Sequence, residues 1–162
     1  MAGTKDISEI NELINDYLEA YRHRDINALE GVVSNDDNFI AFGTDAGEIW
    51  EGWAEFKTAS EQLFGAMEEI QWDRSGKPMV HFSHDGSVAW FVEELSANFV
   101  TGGEEHSCNV RISGVAEKRE SEWKIVQFHR SVPAEDHVVP YLETHGVRFD
   151  WYPNRVNENL FY

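Results

Sequence analysis

The spacing of apolar residues changes once along this chain, and that change limits the folds open to it. Up to about residue 67, apolar side chains recur every three or four positions, which places them on one face of a helix. From about residue 69 they alternate with polar side chains, as in strands that bury one face. Helices followed by strands predict an α+β fold in which one sheet packs against the helices.

Three helices are predicted in the first part of the chain. Asp6 is expected to cap the first helix, and Glu9, three residues later, completes a capping-box pattern. Asp25 begins a short second helix, and Gly52 opens a third. The apolar stripe of the first helix consists of Ile7, Ile10, Leu13, Ile14, Tyr17, Leu18 and Tyr21.

The second part of the chain predicts a strongly curved antiparallel sheet. Strands are expected there over residues 69–73, 79–83, 87–100, 107–117 and 123–132, and one short strand, 39–42, is expected earlier, between the second and third helices. Because the longest of these must wrap around the helices to bury their large apolar residues, the domain should have the shape of a cone. The residues that this packing should bury are Trp72, Trp90, Phe91 and Phe99.

Charge and cysteine content exclude several classes of protein. The 162 residues include 13 Lys and Arg against 30 Asp and Glu, a net charge of −17, which repels phosphate backbones and anionic lipids. We therefore expect neither nucleic acid nor membranes as partners. A single cysteine, Cys108, forms no intrachain disulfide, and the start of the sequence lacks the pattern of a signal peptide. These features predict a cytoplasmic protein.

The charges of the last predicted hairpin suggest how its strands pair. If Glu117 faces Lys124, opposite charges meet across the strands, which is mildly favourable. The same register places Arg111 beside Arg130 and Ser113 on the same face, so two guanidinium groups would bind a carboxylate or another small anion. A slip by one residue would instead bring His129 near Arg111.

Three segments resemble the nuclear-transport-factor-two-like superfamily, specifically its SnoaL-like and ketosteroid-isomerase-like branch. They are Ala-Tyr-Arg-His-Arg-Asp at 20–25, Glu-Ile-Trp-Glu-Gly at 48–52, and the run at 123–133 that contains Phe-His-Arg-Ser. The last is also similar to the end of the association domain of calcium/calmodulin-dependent kinases. The resemblance covers residues 6–133 and implies a cone domain over 1–133, whereas function varies widely within this fold.

The two relatives imply different roles for individual residues. In ketosteroid isomerases a helix tyrosine, matched here by Tyr17, is an oxyanion donor, and Ser113 aligns with the second donor. Their general base would fall at 40–42, which reads Ile-Ala-Phe, so steroid isomerisation is rejected. By similarity to the kinase association domain, Arg130 points into a pocket that accepts small carboxylates. Alternatively, Arg111 and Arg130 form internal salt bridges with Glu48, Glu93 or Glu94, or lie on the surface.

His129 alternates with Arg130, so a regular strand places it on the opposite face, as a structural or dimer-face residue. If a β-bulge reverses the alternation, His129 becomes the best candidate for a general acid or base. No set of His and Cys residues has a complete zinc spacing, and no metal or cofactor is expected. Residues 134–162 contain six aromatic side chains, and we expect this extension to pack on the domain or on a dimer partner.

These patterns predict a small-molecule-binding protein that forms a homodimer through the exposed face of its sheet. Its pocket should take a partly apolar anion. The second hypothesis is a cofactor-independent isomerase, cyclase or dehydratase that uses His129, Tyr17 or Glu48 for proton transfer. The third is a homo-oligomeric assembly module whose cavity is filled. The predicted ligand-binding residues are Arg111, Arg130, Ser113, Tyr17, Tyr21 and Trp72.

Overall fold

The computed structural model describes residues 4–133. In that part of the chain the three predicted helices are α1 (Thr4–His23), α2 (Ile26–Val32) and α3 (Gly52–Ala66). The strands are β1 (Ile40–Phe42), β2 (Ile49–Glu51), β3 (Glu69–Asp73), β4 (Met79–Phe82), β5 (Val88–Thr101), β6 (Glu104–Arg119) and β7 (Glu122–Ser131). The aromatic extension at 134–162 lies outside the described residues, so its packing stays a prediction.

The buried stripe of α1 confirms the helical period. Ile10, Ile14, Tyr17 and Tyr21 are each at most 1% exposed, whereas Ile7 at the start of the stripe is 43% exposed. Asp25 is the N-cap of α2, and its side chain accepts hydrogen bonds from the backbone N–H groups of residues 27 and 28.

Asp6 does not cap α1, because the helix begins two residues earlier, at Thr4. The carboxylates of Asp6 and Glu9 instead face the sheet, where they lie 3.3 Å and 3.5 Å from the Lys118 ammonium. The indole N–H of Trp123 also donates to Glu9, at 3.1 Å. The two acidic residues that resembled a capping box therefore bind the first helix to the final hairpin.

The sheet is open and mixed. Its strand order is β2-β1-β7-β6-β5-β3, with β4 pairing to a further stretch of β5. The predicted antiparallel pairing holds for every strand pair of the described sheet except β1 with β7, which run parallel. No tight hairpin joins β1 to β7, because most of the chain lies between them, and the direction of β1 is therefore not restricted to antiparallel.

A β-bulge in β7 changes the predicted register of the last hairpin. Glu117 pairs with Lys124, as expected, and Ala116 pairs with Ile125. Val115 then pairs with residue 127, so Val126 has no partner on β6. This extra residue moves all later positions of β7 by one relative to β6.

Beyond the bulge the predicted register is wrong. Arg130 pairs with Ile112, and Arg111 pairs with Ser131. Ser113 stands opposite His129 rather than residue 128. Arg111 and Arg130 therefore belong to opposite faces of the sheet, and the predicted pair of guanidinium groups does not form.

The two faces of the sheet differ in what they cover. The inner face packs on the helices and holds Phe91 and Ile112, which are at most 2% exposed, together with the side chain of Arg130. The outer face carries Arg111, Ser113, His129 and Ser131. Trp90 also lies on the outer face, at 45% exposure, so the expectation that it would be buried is wrong. Trp90 is adjacent to Phe91 in β5, and adjacent residues of a strand point to opposite faces of the sheet.

Gly114 lies where two aromatic rings of the inner face come close to β6. It pairs with both Phe91 and Phe128, and the ring of Phe128 lies 4.2 Å from that of Tyr17 between centroids. A Cβ atom at Gly114 would lie 2.5 Å from Phe91 Cζ and 2.9 Å from the backbone oxygen of Gln127. The rings can pack here only because Gly114 has no side chain.

We expect Gly114→Ala to lower the free energy of unfolding by about 1–3 kcal/mol, since overpacking a core displaces rings and backbone. The measurement is urea denaturation followed by circular dichroism. Gly31→Ala is the matched control: it lies in α2 with nothing within 4 Å of its added Cβ, and it should raise stability by about 0.5–1 kcal/mol. Equal effects of the two substitutions would contradict this account.

Candidate functional site

A cavity of about 380 Å³ lies between the inner face of the sheet and the helices. We call it the inner pocket. Apolar rings form part of its wall, and one guanidinium and one carboxylate also face it. The residues that matter for its chemistry are Tyr21, Glu48, Trp50, Phe56, Ser60 and Arg130.

Arg130 is the half-buried cation of the inner pocket. Its guanidinium carbon lies 5.0 Å from the centre of the Tyr21 ring, a cation–π contact. Its Nε–H is buried and has no hydrogen-bond partner within the described residues, and Arg130 takes part in no ion pair among them. Burial acts to lower the pKa of Arg130, but Tyr21, Tyr17 and Glu48 raise it, and the net pKa lies above the ordinary value. Arg130 is therefore charged at neutral pH.

Two further hydrogen-bond donors lie beside the same ring. The ring centroids of Tyr17 and Trp72 are 5.0 Å and 6.5 Å from that of Tyr21. The Tyr17 hydroxyl and the Trp72 indole N–H are both buried without a hydrogen-bond partner in residues 4–133. Burial, followed by the neighbouring Tyr21, raises the pKa of Tyr17 well above 10.0, so its hydroxyl keeps its proton. Tyr17, Trp72 and Arg130 thus place three unused donors around one aromatic ring.

Glu48 is the acidic group of the inner pocket. It precedes β2, and its Oε2 accepts the backbone N–H of Asp45 at 3.1 Å. No ion pair within 4.0 Å joins Glu48 to Arg130, although Glu48 contributes to the raised pKa of Arg130. The two charged groups therefore face one cavity without closing on each other.

Ser60 is a pocket residue that the sequence analysis did not select. It is 2% exposed, and its Oγ lies 3.4 Å from the Tyr21 hydroxyl, so one of the two donates to the other. A signal was present in the sequence, because Ser60 follows Trp53 and Phe56 at helical spacing on the buried side of α3. A polar residue on an apolar stripe often has a buried partner.

The structure brings some of the predicted residues together and separates others. Tyr17, Tyr21, Trp72 and Arg130 meet on the inner side, and Glu48 lines the same pocket as Arg130. The other predicted residues line an open groove of about 860 Å³ on the outer face. These are Arg111, Ser113 and His129.

The bulge explains this separation. It shifts β7 by one residue relative to β6, so Arg130 pairs with Ile112 on the inner face. Arg111 and Ser113 lie on the outer face and do not share its cavity. His129 stays on the outer face, where its ring lies 5.9 Å from that of Phe42. The bulge therefore does not bring His129 into the inner pocket.

The predicted salt bridges of Arg111 and Arg130 with Glu93 or Glu94 are not the ones that the structure forms. Glu93 is 6% exposed and binds Arg74 through two hydrogen bonds, at 2.7 Å and 2.8 Å. Glu94 is the strand partner of Arg111 on the outer face. Because Arg74 neutralises the buried Glu93, no inner-face carboxylate of β5 serves Arg130.

Within residues 4–133 no group of three or more His, Cys, Asp or Glu side chains is placed to hold a metal ion. No helix of that part of the chain has both the length and the apolar character needed to cross a membrane.

A cone of three helices and a curved open sheet, with a pocket on its inner face, defines the class of protein. The model of the SnoaL-like domain matches residues 10–135. The chain belongs to the SnoaL-like domain family. A search of curated proteins found no match.

Solved structures show the same fold. A nuclear transport factor 2 (NTF2-like) superfamily protein from Salmonella enterica is 21% identical, with a TM-score of 0.76 over 85% of this chain and 97% of its own. A Xanthomonas campestris protein, provisionally named a calcium/calmodulin dependent protein kinase II association domain, is 16% identical, with a TM-score of 0.68 over 79% and 88%. A Streptomyces avermitilis protein, provisionally named a dehydratase of the NTF2-like family, is 16% identical, with a TM-score of 0.70 over 80% and 97%. These similarities confirm the predicted fold.

The buried hydroxyl of Tyr17 predicts a loss of stability in alkali. Its folded pKa exceeds the unfolded value, so its contribution to stability is complete below about pH 10 and falls as the pH rises further. Above pH 10 the free energy of unfolding of the wild type should fall more steeply than that of Tyr17→Phe. The difference should approach about 1.4 kcal/mol per pH unit. Urea denaturation across the alkaline range measures both slopes, and parallel slopes would contradict the assignment.

Proposed function

We propose that this protein binds a small, partly apolar molecule with a carboxylate group in the inner pocket. The observation that carries the proposal is Arg130, a half-buried cation whose Nε–H is fully buried and which has no ion-pair partner among the described residues. A buried charge is costly unless it is paired, and a guanidinium binds a carboxylate through two parallel hydrogen bonds. A ligand carboxylate is the group that Arg130 lacks.

The walls and the other donors of the pocket support the same ligand class. Trp50 and Phe56 supply aromatic surface, with ring centroids 5.7 Å apart, and Leu63 adds an aliphatic side chain. A cavity of about 380 Å³ lies at the small end of ligand pockets. The Tyr17 hydroxyl and the Trp72 N–H lie beside the Tyr21 ring that contacts Arg130, as unused donors on the same side of the sheet. Arg111 and Ser113 have no part in this proposal.

Proton transfer is the second candidate function, and Glu48 is the observation that favours it. A carboxylate and a guanidinium that face one pocket can remove a proton next to a bound carboxylate and hold the resulting charge. The provisional dehydratase name of the Streptomyces avermitilis protein is consistent with such chemistry. Binding remains the preferred proposal, because it needs only Arg130 and the apolar walls of the pocket.

A thermal-shift screen of small carboxylates tests the binding function. A ligand at a hundred times its Kd adds about 2.7 kcal/mol of stability. For a domain of this size that raises the melting temperature by about 5–10 °C. We expect the shift in the wild type and its loss in Arg130→Met, with partial retention in Arg130→Lys, which keeps the charge but not the planar fork.

Arg111→Met is the matched control, because it removes the same charge from the outer face. It should keep the full shift. If Arg111→Met loses the shift and Arg130→Met keeps it, the ligand binds in the outer groove. If no carboxylate moves the wild-type curve and Arg130→Met is strongly destabilised, Arg130 is structural and the binding proposal fails.

We also propose that the outer face is the interface of a homodimer. Large apolar side chains are exposed there on three strands, which is unusual for a surface in contact with water. The association-domain name of the Xanthomonas campestris protein is consistent with self-assembly. The exposed residues are Ile40, Phe42, Met79, Trp90 and Val92, from 40% to 63% exposed.

Sedimentation equilibrium of the full chain tests this interface. Val92→Glu places a charge among these residues and should weaken dimerisation at least about tenfold, since a buried unpaired carboxylate is costly. Ala54→Glu adds the same charge at an exposed position of α3 and should leave dimerisation unchanged. A wild-type chain that is monomeric at every concentration would contradict the proposal.

A further inference from the structure

We infer that the ligand of the inner pocket is a small zwitterion, whose carboxylate binds Arg130 and whose ammonium group binds Glu48. The inference rests on the proposed binding function and narrows its ligand class. An amino acid with an apolar side chain has this combination of groups. Three features of the pocket support it: its charges, the way Glu48 is held, and its walls.

Among residues 4–133, one cation and one anion line the inner pocket. Arg130 attracts a carboxylate, but Glu48 faces the same cavity and repels it. A simple carboxylate would therefore satisfy Arg130 and bring a second negative charge towards Glu48. A zwitterion satisfies both groups, and its zero net charge avoids repulsion by a protein of net charge −17.

Glu48 is held in place by the turn between β1 and β2. Its Oε2 accepts the backbone N–H of Asp45 at 3.1 Å, and its backbone oxygen accepts the N–H of Gly43 at 2.9 Å. The Glu48 side chain also folds across Gly43, where a Cβ atom would collide with its carboxylate. Glycine at position 43 thus leaves the space that the Glu48 carboxylate occupies.

The walls fit an apolar side chain on the same ligand. The rings of Trp50 and Phe56 and the side chain of Leu63 line the pocket. Aromatic faces also attract ammonium groups, so these walls are compatible with a ligand cation near Glu48. Phenylalanine and leucine combine an apolar side chain, a carboxylate and an ammonium group in a molecule of suitable size for about 380 Å³.

Isothermal titration of the full chain with matched ligands tests the inference. Phenylalanine is compared with hydrocinnamate, which lacks only the ammonium group, and with phenethylamine, which lacks only the carboxylate. Leucine, isocaproate and isopentylamine form a second set. We expect at least one amino acid to bind at least about tenfold more tightly than both of its counterparts, because it satisfies both charges.

Glu48→Gln identifies the group responsible. It should weaken amino-acid binding at least about tenfold and leave the affinity for hydrocinnamate or isocaproate equal or higher. Gly43→Ala, which displaces the Glu48 carboxylate without removing it, should act in the same direction. Glu51→Gln is the matched control: it removes one charge from an exposed position of β2 and should change neither affinity.

The outcomes separate the two proposals. If hydrocinnamate or isocaproate binds in an Arg130-dependent way and no amino acid exceeds its counterpart, the zwitterion inference is overturned and the binding function stands. The inference is overturned in the same way if Glu48→Gln leaves the preference for the amino acid unchanged. If neither the amino acids nor the carboxylates bind, both the inference and the proposed function fail.

Discussion

One extra residue in β7 determines which side chains reach the interior of this domain. Val126 has no partner on β6, and beyond it every position of β7 is moved by one relative to its neighbour. Because side chains alternate between faces, this shift decides that Arg130 stands beside Ile112 on the inner face and that Arg111 lies on the outer face. Of these two arginines, only Arg130 therefore reaches the inner pocket, where Glu48 lines the same cavity without pairing with it.

The inner face of the sheet contains charged side chains that differ in how well they are paired. On the inner face, buried carboxylates and cations have to be matched, and Glu93 is matched by Arg74 at 2.7 Å. Arg130 has the face of the Tyr21 ring, at 5.0 Å, which stabilises a cation less than a carboxylate would. This difference between the two charges is why the proposed binding site is built on Arg130 and not on Glu93.

Local features of the fold could be predicted from the sequence, and the site's arrangement could not. The stripe of α1 and the Asp25 cap depend on residues a few positions apart, and both were predicted. The bulge depends on pairing across strands. The sequence does contain a signal for it. Apolar residues occupy odd positions at Trp123 and Ile125 but even positions at Val126 and residue 128, so the alternation changes phase at Val126. Each set alone is compatible with a regular strand, so only the partner strand decides between them.

The same arrangement bears on whether this pocket carries out chemistry or only binds. A general base has to reach the reacting atom, and β1 offers the buried Ala41 where ketosteroid isomerases are expected to have that base. Glu48 lies beyond β1, and its carboxylate already accepts the N–H of Asp45. A carboxylate held by its own turn is well placed to bind a cationic group that arrives with the ligand. Proton transfer would in addition require this carboxylate to reach a reacting atom of the ligand, whereas recognition requires only its charge at the pocket wall, so the geometry favours recognition over proton transfer.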